Sequence, residues 1–179
     1  MASHPTHDKL IDAALRLADD RPLVQISVDD IVREAGVAKG TFYVHFADRG
    51  AFLAALNRRF HRSLFRAMAG AVGSMPPGRE RLAAGALAYL DACRAQLGVK
   101  SILIEARSEP AVAVEAARRN AETAAAARDD FVELGVTDPD ASARLFVAAV
   151  AEAALMELEA GGLDEHARRA LVELIPVPR

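Results

Sequence analysis

The residues between Lys39 and His45 combine hydrogen-bonding, small and apolar side chains in a pattern suited to contacting a polyanion. With a helical period, Phe42 and Phe46 fall on one side of the segment, and we expect that side to be buried. The outward and flanking residues, which include no carboxylate, are Lys39, Gly40, Thr41, Tyr43, Val44 and His45. Hydroxyl, imidazole and ammonium groups donate to phosphate oxygens and base edges, and a valine methyl can contact the thymine methyl group. The segment therefore predicts a surface that contacts nucleic acid.

Gly40 strengthens this interpretation because glycine inside a helix costs about 1 kcal/mol relative to alanine. A position without a side chain lets a helix approach a groove wall closely, which would compensate for that cost. The alternative is an ordinary surface helix whose tyrosine is merely amphipathic.

The elements around this segment predict a helix-turn-helix over residues 27–46. A first helix over 6–19 carries an apolar stripe of helical period. Ser27 opens a second helix, since Ser27-Val-Asp-Asp30 resembles a capping box, and Gly36 ends it in a left-handed turn. The third helix covers about 38–46, and Asp48 is a suitable N-cap for a fourth. Two helices joined by a short turn are a common way to place a helix in the major groove.

The rest of the chain predicts an all-α protein of about nine helices. Helix 49–72 connects a DNA-binding domain at 1–50 to a second helical domain at 51–179. After a break at Gly73-Ser-Met-Pro-Pro-Gly78, further helices are expected at 79–97, 100–108, 110–134, 139–160 and 164–175.

Charge is distributed unevenly along the chain, whose net charge is −3. Residues 1–66 hold ten Lys and Arg against eight Asp and Glu, a net of +2, and residues 67–179 hold twelve against seventeen, a net of −5. The basic portion coincides with the predicted DNA-contacting unit. A single cysteine, Cys93, excludes a disulfide framework within the chain. We expect a cytoplasmic protein without a leader segment or a membrane span.

Helices 1 to 4 resemble the DNA-binding head of the TetR family of bacterial regulators over residues 6–56. The resemblance rests on Ile11 and Ala14, on IVREAGV at 31–37, on KGTFYVHF at 39–46, and on Arg49 and Leu53. It implies that Lys39, Thr41, Tyr43 and His45 contact DNA. It also implies that Arg49 and Ser27 hold phosphates.

The same resemblance implies a homodimeric repressor that a small-molecule effector releases from a double-stranded, palindromic DNA operator. The alternatives are an activator and a repressor whose DNA binding the ligand enhances. The C-terminal part would bind the effector and form the dimer. No cofactor and no metal site are predicted.

Residues 145–158 are apolar on nearly every side of a helix, so they require cover, and a partner subunit is one source of it. Burial within a single chain is the alternative. The residues predicted to form the dimer interface are Leu145, Ala148, Leu155, Ala167, Leu171 and Leu174.

An effector pocket is predicted among the helices that follow residue 78. Its candidate residues are Tyr89, Cys93, Asn120, Thr123 and Glu152. Tyr89 either offers its phenol to a ligand or is a core tyrosine, and Cys93 fits a small buried side chain better than a redox sensor. Asn120 and Thr123 are either pocket groups or ordinary helix positions. Glu152 pairs across a dimer, binds a ligand or faces solvent.

Two other classes of function compete with a DNA-binding regulator. An enzyme is disfavoured because neither Glu-x-x-His nor His-x-x-x-His lies within a predicted helix and no glycine-rich phosphate loop is present. A helical adaptor that binds protein through the third helix would differ from a DNA binder in its weak dependence on salt.

Overall fold

The computed structural model describes residues 5–18, 20, 25–96 and 110–177, and within these ranges it is entirely α-helical. The eight helices are α1 (Pro5–Ala18), α2 (Val28–Ala35), α3 (Lys39–His45), α4 (Arg49–Val72), α5 (Arg79–Arg94), α6 (Pro110–Glu133), α7 (Pro139–Glu159) and α8 (Glu165–Glu173). Each agrees with a predicted helix to within about three residues at either end. The helix predicted over 100–108 lies outside the described residues.

The predicted capping box opens α2 and is confirmed. The Ser27 hydroxyl accepts a hydrogen bond from the Asp30 N–H at 3.1 Å, and the Asp30 carboxylate accepts one from the Ser27 N–H at 3.0 Å. These bonds satisfy donors that the first turn of a helix otherwise leaves without partners. They fix the start of α2 just before the predicted recognition segment.

The turn between α2 and α3 is closed by Gly36, which has φ +63° and ψ +43°. Its N–H donates to the Arg33 carbonyl, and the Val37 N–H donates to the Val32 carbonyl at 2.9 Å. A left-handed residue at this position lets the chain leave one helix and begin another within three residues. The third helix was predicted to begin at Ala38, but Ala38 is the exposed, extended N-cap that precedes Lys39.

An aromatic cluster holds α3 against its neighbours. The ring of Phe42 lies 5.3 Å from that of Phe46 and 5.2 Å from that of Phe52 in α4, between centroids. The His7 ring of α1 lies 4.8 Å from Phe46. Such tilted and edge-on pairs add to the free energy gained by burying the rings. They give a seven-residue helix a fixed orientation that its length alone would not provide.

The described residues form two compact units. The first contains those up to His61 together with Gln96 and 110–116, and the second contains 62–95 and 117–177. Helices α4 and α6 each contribute residues to both units.

The second unit contains two buried carboxylates with arginine partners. Asp130 accepts from Arg81 at 2.6 and 2.9 Å and from the Gly78 N–H at 2.8 Å, which ties the loop before α5 to α6. Glu157 of α7 accepts from Arg168 of α8 at 2.5 and 3.1 Å. Arg168 also bonds to Asp91 of α5 at 2.8 Å, so these polar groups join three helices.

Candidate nucleic-acid interface

Helix α3 presents the two faces that the helical period predicts. Phe42 is completely buried, whereas Tyr43 is 53% exposed and Val44 is 79% exposed. Both side chains are therefore open to solvent on the face of α3 opposite Phe42. The predicted outward face is therefore confirmed as a surface, and its contact with DNA stays a prediction.

Gly40 lies in an open part of that surface. A Cβ atom built on Gly40 meets no other heavy atom within 4 Å, so packing inside the protein does not require glycine there. Thr41, half-buried beside it, donates its N–H to the Ala38 carbonyl at 2.9 Å. The glycine therefore leaves room at the surface that an incoming molecule can occupy.

Lys39 forms an ion pair with Asp29 across the turn. The Nζ atom lies 2.9 Å from one carboxylate oxygen and 3.0 Å from the other, and both side chains are more than half exposed. The hydrogen bond and the charge of Asp29 raise the pKa of the Lys39 ammonium. The sequence carries no signal that pairs Asp29 with Lys39, because the two lie ten residues apart in different helices.

Ser27 and Arg49, the two predicted phosphate ligands, both take part in contacts within the protein. The Ser27 hydroxyl donates to Asp30 at 2.7 Å, and Arg49 Nη1 donates to the Ile26 carbonyl at 3.0 Å. An arginine side chain carries five N–H donors, whereas the Ser27 hydroxyl has a single donor, which is directed at Asp30. Arg49 is thus the better placed of the two.

His45 is half-buried at the end of α3, and its ring lies 6.3 Å from that of His7. His7 lies within α1, as the predicted first helix implies, and its ring packs against Phe46. Two imidazoles therefore flank the aromatic cluster at the edge of the candidate interface.

The predicted pocket residues differ widely in exposure. Cys93 is buried and Tyr89 half-buried, whereas Asn120 and Glu152 are exposed. The Thr123 hydroxyl donates to the Arg119 carbonyl of its own helix at 2.9 Å, which is typical of an ordinary helix position. The carboxylate that α7 does bury is Glu157, one and a half turns beyond Glu152.

The predicted interface residues fall into two groups. Leu145 is 72% exposed and Leu174 is 64% exposed, and Ala148 is also exposed. Leu155 is half-buried. Ala167 and Leu171 are buried within the chain, since the side of α8 that carries them packs on α7. They are thus unavailable to a partner in this conformation.

Across the part of the chain that the structure describes, no helix is long and apolar enough to cross a membrane. The same residues contain no group of three His, Cys, Asp or Glu side chains that could hold a metal ion.

The geometry of α1 to α4 defines a helix-turn-helix protein. Residues 10–56 match the family model for bacterial regulatory proteins of the tetR family. This match assigns residues 10–56, in the N-terminal helices, to that family model.

Known proteins similar to this chain agree with that assignment. An uncharacterized HTH-type transcriptional regulator, YwcC of Bacillus subtilis, is 48% identical over 48 residues, which are 27% of this chain and 22% of that protein. The chain thus aligns with only about a fifth of the length of this curated relative.

Solved structures extend the similarity to nearly the whole chain. A putative TetR-family transcriptional regulator from Rhodococcus sp. has a TM-score of 0.79 at 22% identity and covers 96% of this chain and 97% of its own. The multidrug binding protein EbrR, complexed with imidazole, has a TM-score of 0.75 at 27% identity over 99% of this chain and 98% of its own. The first shows a shared fold, and the second adds some sequence similarity to it.

Proposed function

We propose that this chain is a homodimeric transcriptional regulator that binds double-stranded operator DNA through α3 and is released by a small-molecule effector. The observation that carries the proposal is the outward face of α3, with Tyr43 and Val44 exposed on a helix whose opposite face is locked into an aromatic cluster. The family match over residues 10–56 supports the same function.

On DNA, α3 would lie in the major groove with Gly40 against the groove wall. Tyr43 and His45 would donate to phosphate oxygens, Lys39 and Thr41 to a phosphate or a base edge, and Val44 would contact a thymine methyl. Arg49 would hold a phosphate beside the start of α4. Phosphate contacts of this kind position the helix, and the base-edge contacts select the sequence.

The dimer is supported by an exposed apolar face in the second unit. Leu145, Ala148 and Met156 lie on one side of α7, and Met156 is 40% exposed. Leu174, just beyond α8, adds a further exposed leucine. A second copy would cover this face and place two α3 helices on a palindromic site, about 34–36 Å apart. Glu152 lies on the same exposed side of α7, so it would meet the partner or its rim.

Effector release is supported by the family and by the similarity to EbrR, which binds imidazole in its solved structure. Three of the predicted pocket residues are at least partly buried, namely Tyr89 and Cys93 of α5 and Thr123 of α6. A ligand that lowers operator affinity 100-fold must supply about 2.7 kcal/mol of difference in affinity between the two conformations.

Selection of bound duplexes from a random library tests the proposal. The expected result is enrichment of a palindromic sequence whose affinity falls steeply with salt, because bound phosphates release counterions. Repeating the binding assay with a panel of small molecules would identify an effector by loss of that affinity. A protein adaptor would enrich no sequence, and a chain that retains no duplex at low ionic strength would contradict the proposal.

A further inference from the structure

The outward face of α3 has no carboxylate of its own, but α2 supplies one. Asp29 lies in the first turn of α2, and both of its oxygens are within 3.0 Å of Lys39 Nζ. The exposed fractions are 56% for Lys39 and 55% for Asp29, so neither charge is removed from water. A negative charge therefore stands beside one of the cations with which the protein would contact DNA.

Asp29 does not take part in the capping box of α2. Asp30 receives the Ser27 N–H and hydroxyl and completes the capping box. The Asp29 carboxylate points instead to Lys39, across the turn that Gly36 closes. Removing its charge would therefore leave the cap of α2 intact.

We propose that Asp29 sets the affinity for DNA by competing with it for the Lys39 ammonium. In the free protein the Asp29 carboxylate binds the Lys39 ammonium. On DNA, a phosphate or a base acceptor must take the place of that carboxylate. The pair must break before Lys39 gives its full attraction to DNA, and the displaced carboxylate then lies close to a polyanion. Asp29 thus weakens operator binding and keeps the affinity low enough for an effector to release the protein. This inference rests on the proposed function.

A double-mutant cycle with Asp29→Asn and Lys39→Ala tests it on the full chain. The probe is a labelled duplex recovered by the selection above, and the readout is its dissociation constant at low salt. Asp29→Asn should tighten duplex binding both in the wild-type chain and, to a smaller extent or not at all, in the Lys39→Ala chain. Because exposed ion pairs are weak, we expect the gain in the wild-type chain to be about two- to five-fold larger than the gain in the Lys39→Ala chain. The excess measures the competition, because the pair is absent in that background.

Asp129→Asn is the matched control. It makes the same change in net charge at a side chain that is 75% exposed in α6, and it should leave duplex affinity unchanged. Thermal unfolding should be close to wild type for both Asn variants. Equal gains from Asp29→Asn with and without Lys39, or weaker binding by Asp29→Asn, would overturn the inference and leave the proposed function standing. A wild-type chain that binds no duplex would overturn both.

Discussion

Tyr43 reaches outward from the aromatic cluster, with its ring edge-on to Phe42 at 5.3 Å between centroids. Replacing Tyr43 by Phe keeps this packing and removes only the hydroxyl. If that hydroxyl donates to a phosphate, duplex binding should weaken by about 1 kcal/mol, which is typical of one hydrogen bond. Fluorescence anisotropy with the selected duplex measures the change.

The other tyrosine of the chain, Tyr89, provides the control for that substitution. Tyr89→Phe makes the same chemical change in α5, and it should leave duplex affinity as it is in the wild type. Unchanged binding by Tyr43→Phe and Tyr43→Ala together would remove Tyr43 from the set of proposed DNA contacts.

Asp130 is one of two buried carboxylates that join elements of the second unit. Its side chain is 5% exposed, and its carboxylate accepts three hydrogen bonds, two from Arg81 and one from the Gly78 N–H. Asp130→Ala would leave a partly buried guanidinium and a buried N–H without this acceptor. We expect a loss of about 2–3 kcal/mol in the free energy of unfolding, less than for a wholly buried pair because Arg81 is partly exposed.

Urea denaturation measures that loss. Asp140→Ala is the control, since Asp140 is 71% exposed and its contact with Arg128 should contribute under about 1 kcal/mol. Equal free energies of unfolding for the Asp130 and Asp140 variants would show that the buried pair stabilises the protein no more than the exposed pair does.

Residue roles were predictable where a helical period decides them. Phe42 was predicted to face inward and Tyr43 outward, because neighbouring residues of a helix point about 100° apart. The sequence did not predict which glutamate of α7 is buried, Glu152 or Glu157. Because α7 is apolar on nearly all sides, its helical period selects no single buried face. The partner of Glu157 is Arg168 in the next helix, and only the packing of α7 on α8 brings the two together.

At the scale of elements, two glycines of the N-terminal unit differ in purpose. Gly36 has a left-handed backbone that ends α2, whereas Gly40 lies inside α3 with open space around it. Gly40→Ala should therefore stabilise the fold by up to about 1 kcal/mol through helix propensity. The added methyl should weaken duplex binding if the helix lies directly against a groove wall.

Gly40→Ala should thus raise stability and weaken duplex binding, and Gly70→Ala is its matched control. Gly70 also lies inside a helix, α4, and a Cβ atom there meets nothing within 4 Å. It should gain similar stability without any loss of duplex affinity, as measured by thermal unfolding and by titration. Gly40→Ala that binds the duplex as tightly as wild type would argue against close approach at this position.

Element boundaries were predictable where caps mark them. Ser27, Gly36 and Asp48 are local signals, and the structure uses all three, Asp48 accepting the Ala51 N–H at 2.7 Å. The ends of α5 and α8 were predicted two or three residues too far along the chain, since no capping side chain or left-handed residue ends them. Ala38 was misplaced because an alanine N-cap has no side-chain signal.

At the scale of the whole molecule, a second copy would cover the exposed face of α7 in the proposed dimer. Leu145→Glu and Leu174→Glu would each put a charge where Leu side chains are now 72% and 64% exposed. Because a buried unpaired carboxylate is costly, both should shift the protein from dimer to monomer in sedimentation velocity. Their folding should be retained, since both positions are already exposed in the single chain.

Val114→Glu is the control for dimerisation. Val114 is 71% exposed in α6, and the same substitution there should leave the association state unchanged. If all three variants sediment like the wild type, the apolar face of α7 is not the dimer interface.

The central claim is that the outward face of α3 binds duplex DNA through its phosphates and bases. The most direct measurement is the affinity for the selected duplex as a function of salt, for the wild type and for Arg49→Ala. We expect the logarithm of the association constant to fall linearly with the logarithm of salt concentration. Loss of one phosphate contact should reduce the slope by about 0.9 in Arg49→Ala. An affinity that does not change with salt, or the absence of any duplex binding at low ionic strength, would contradict the account.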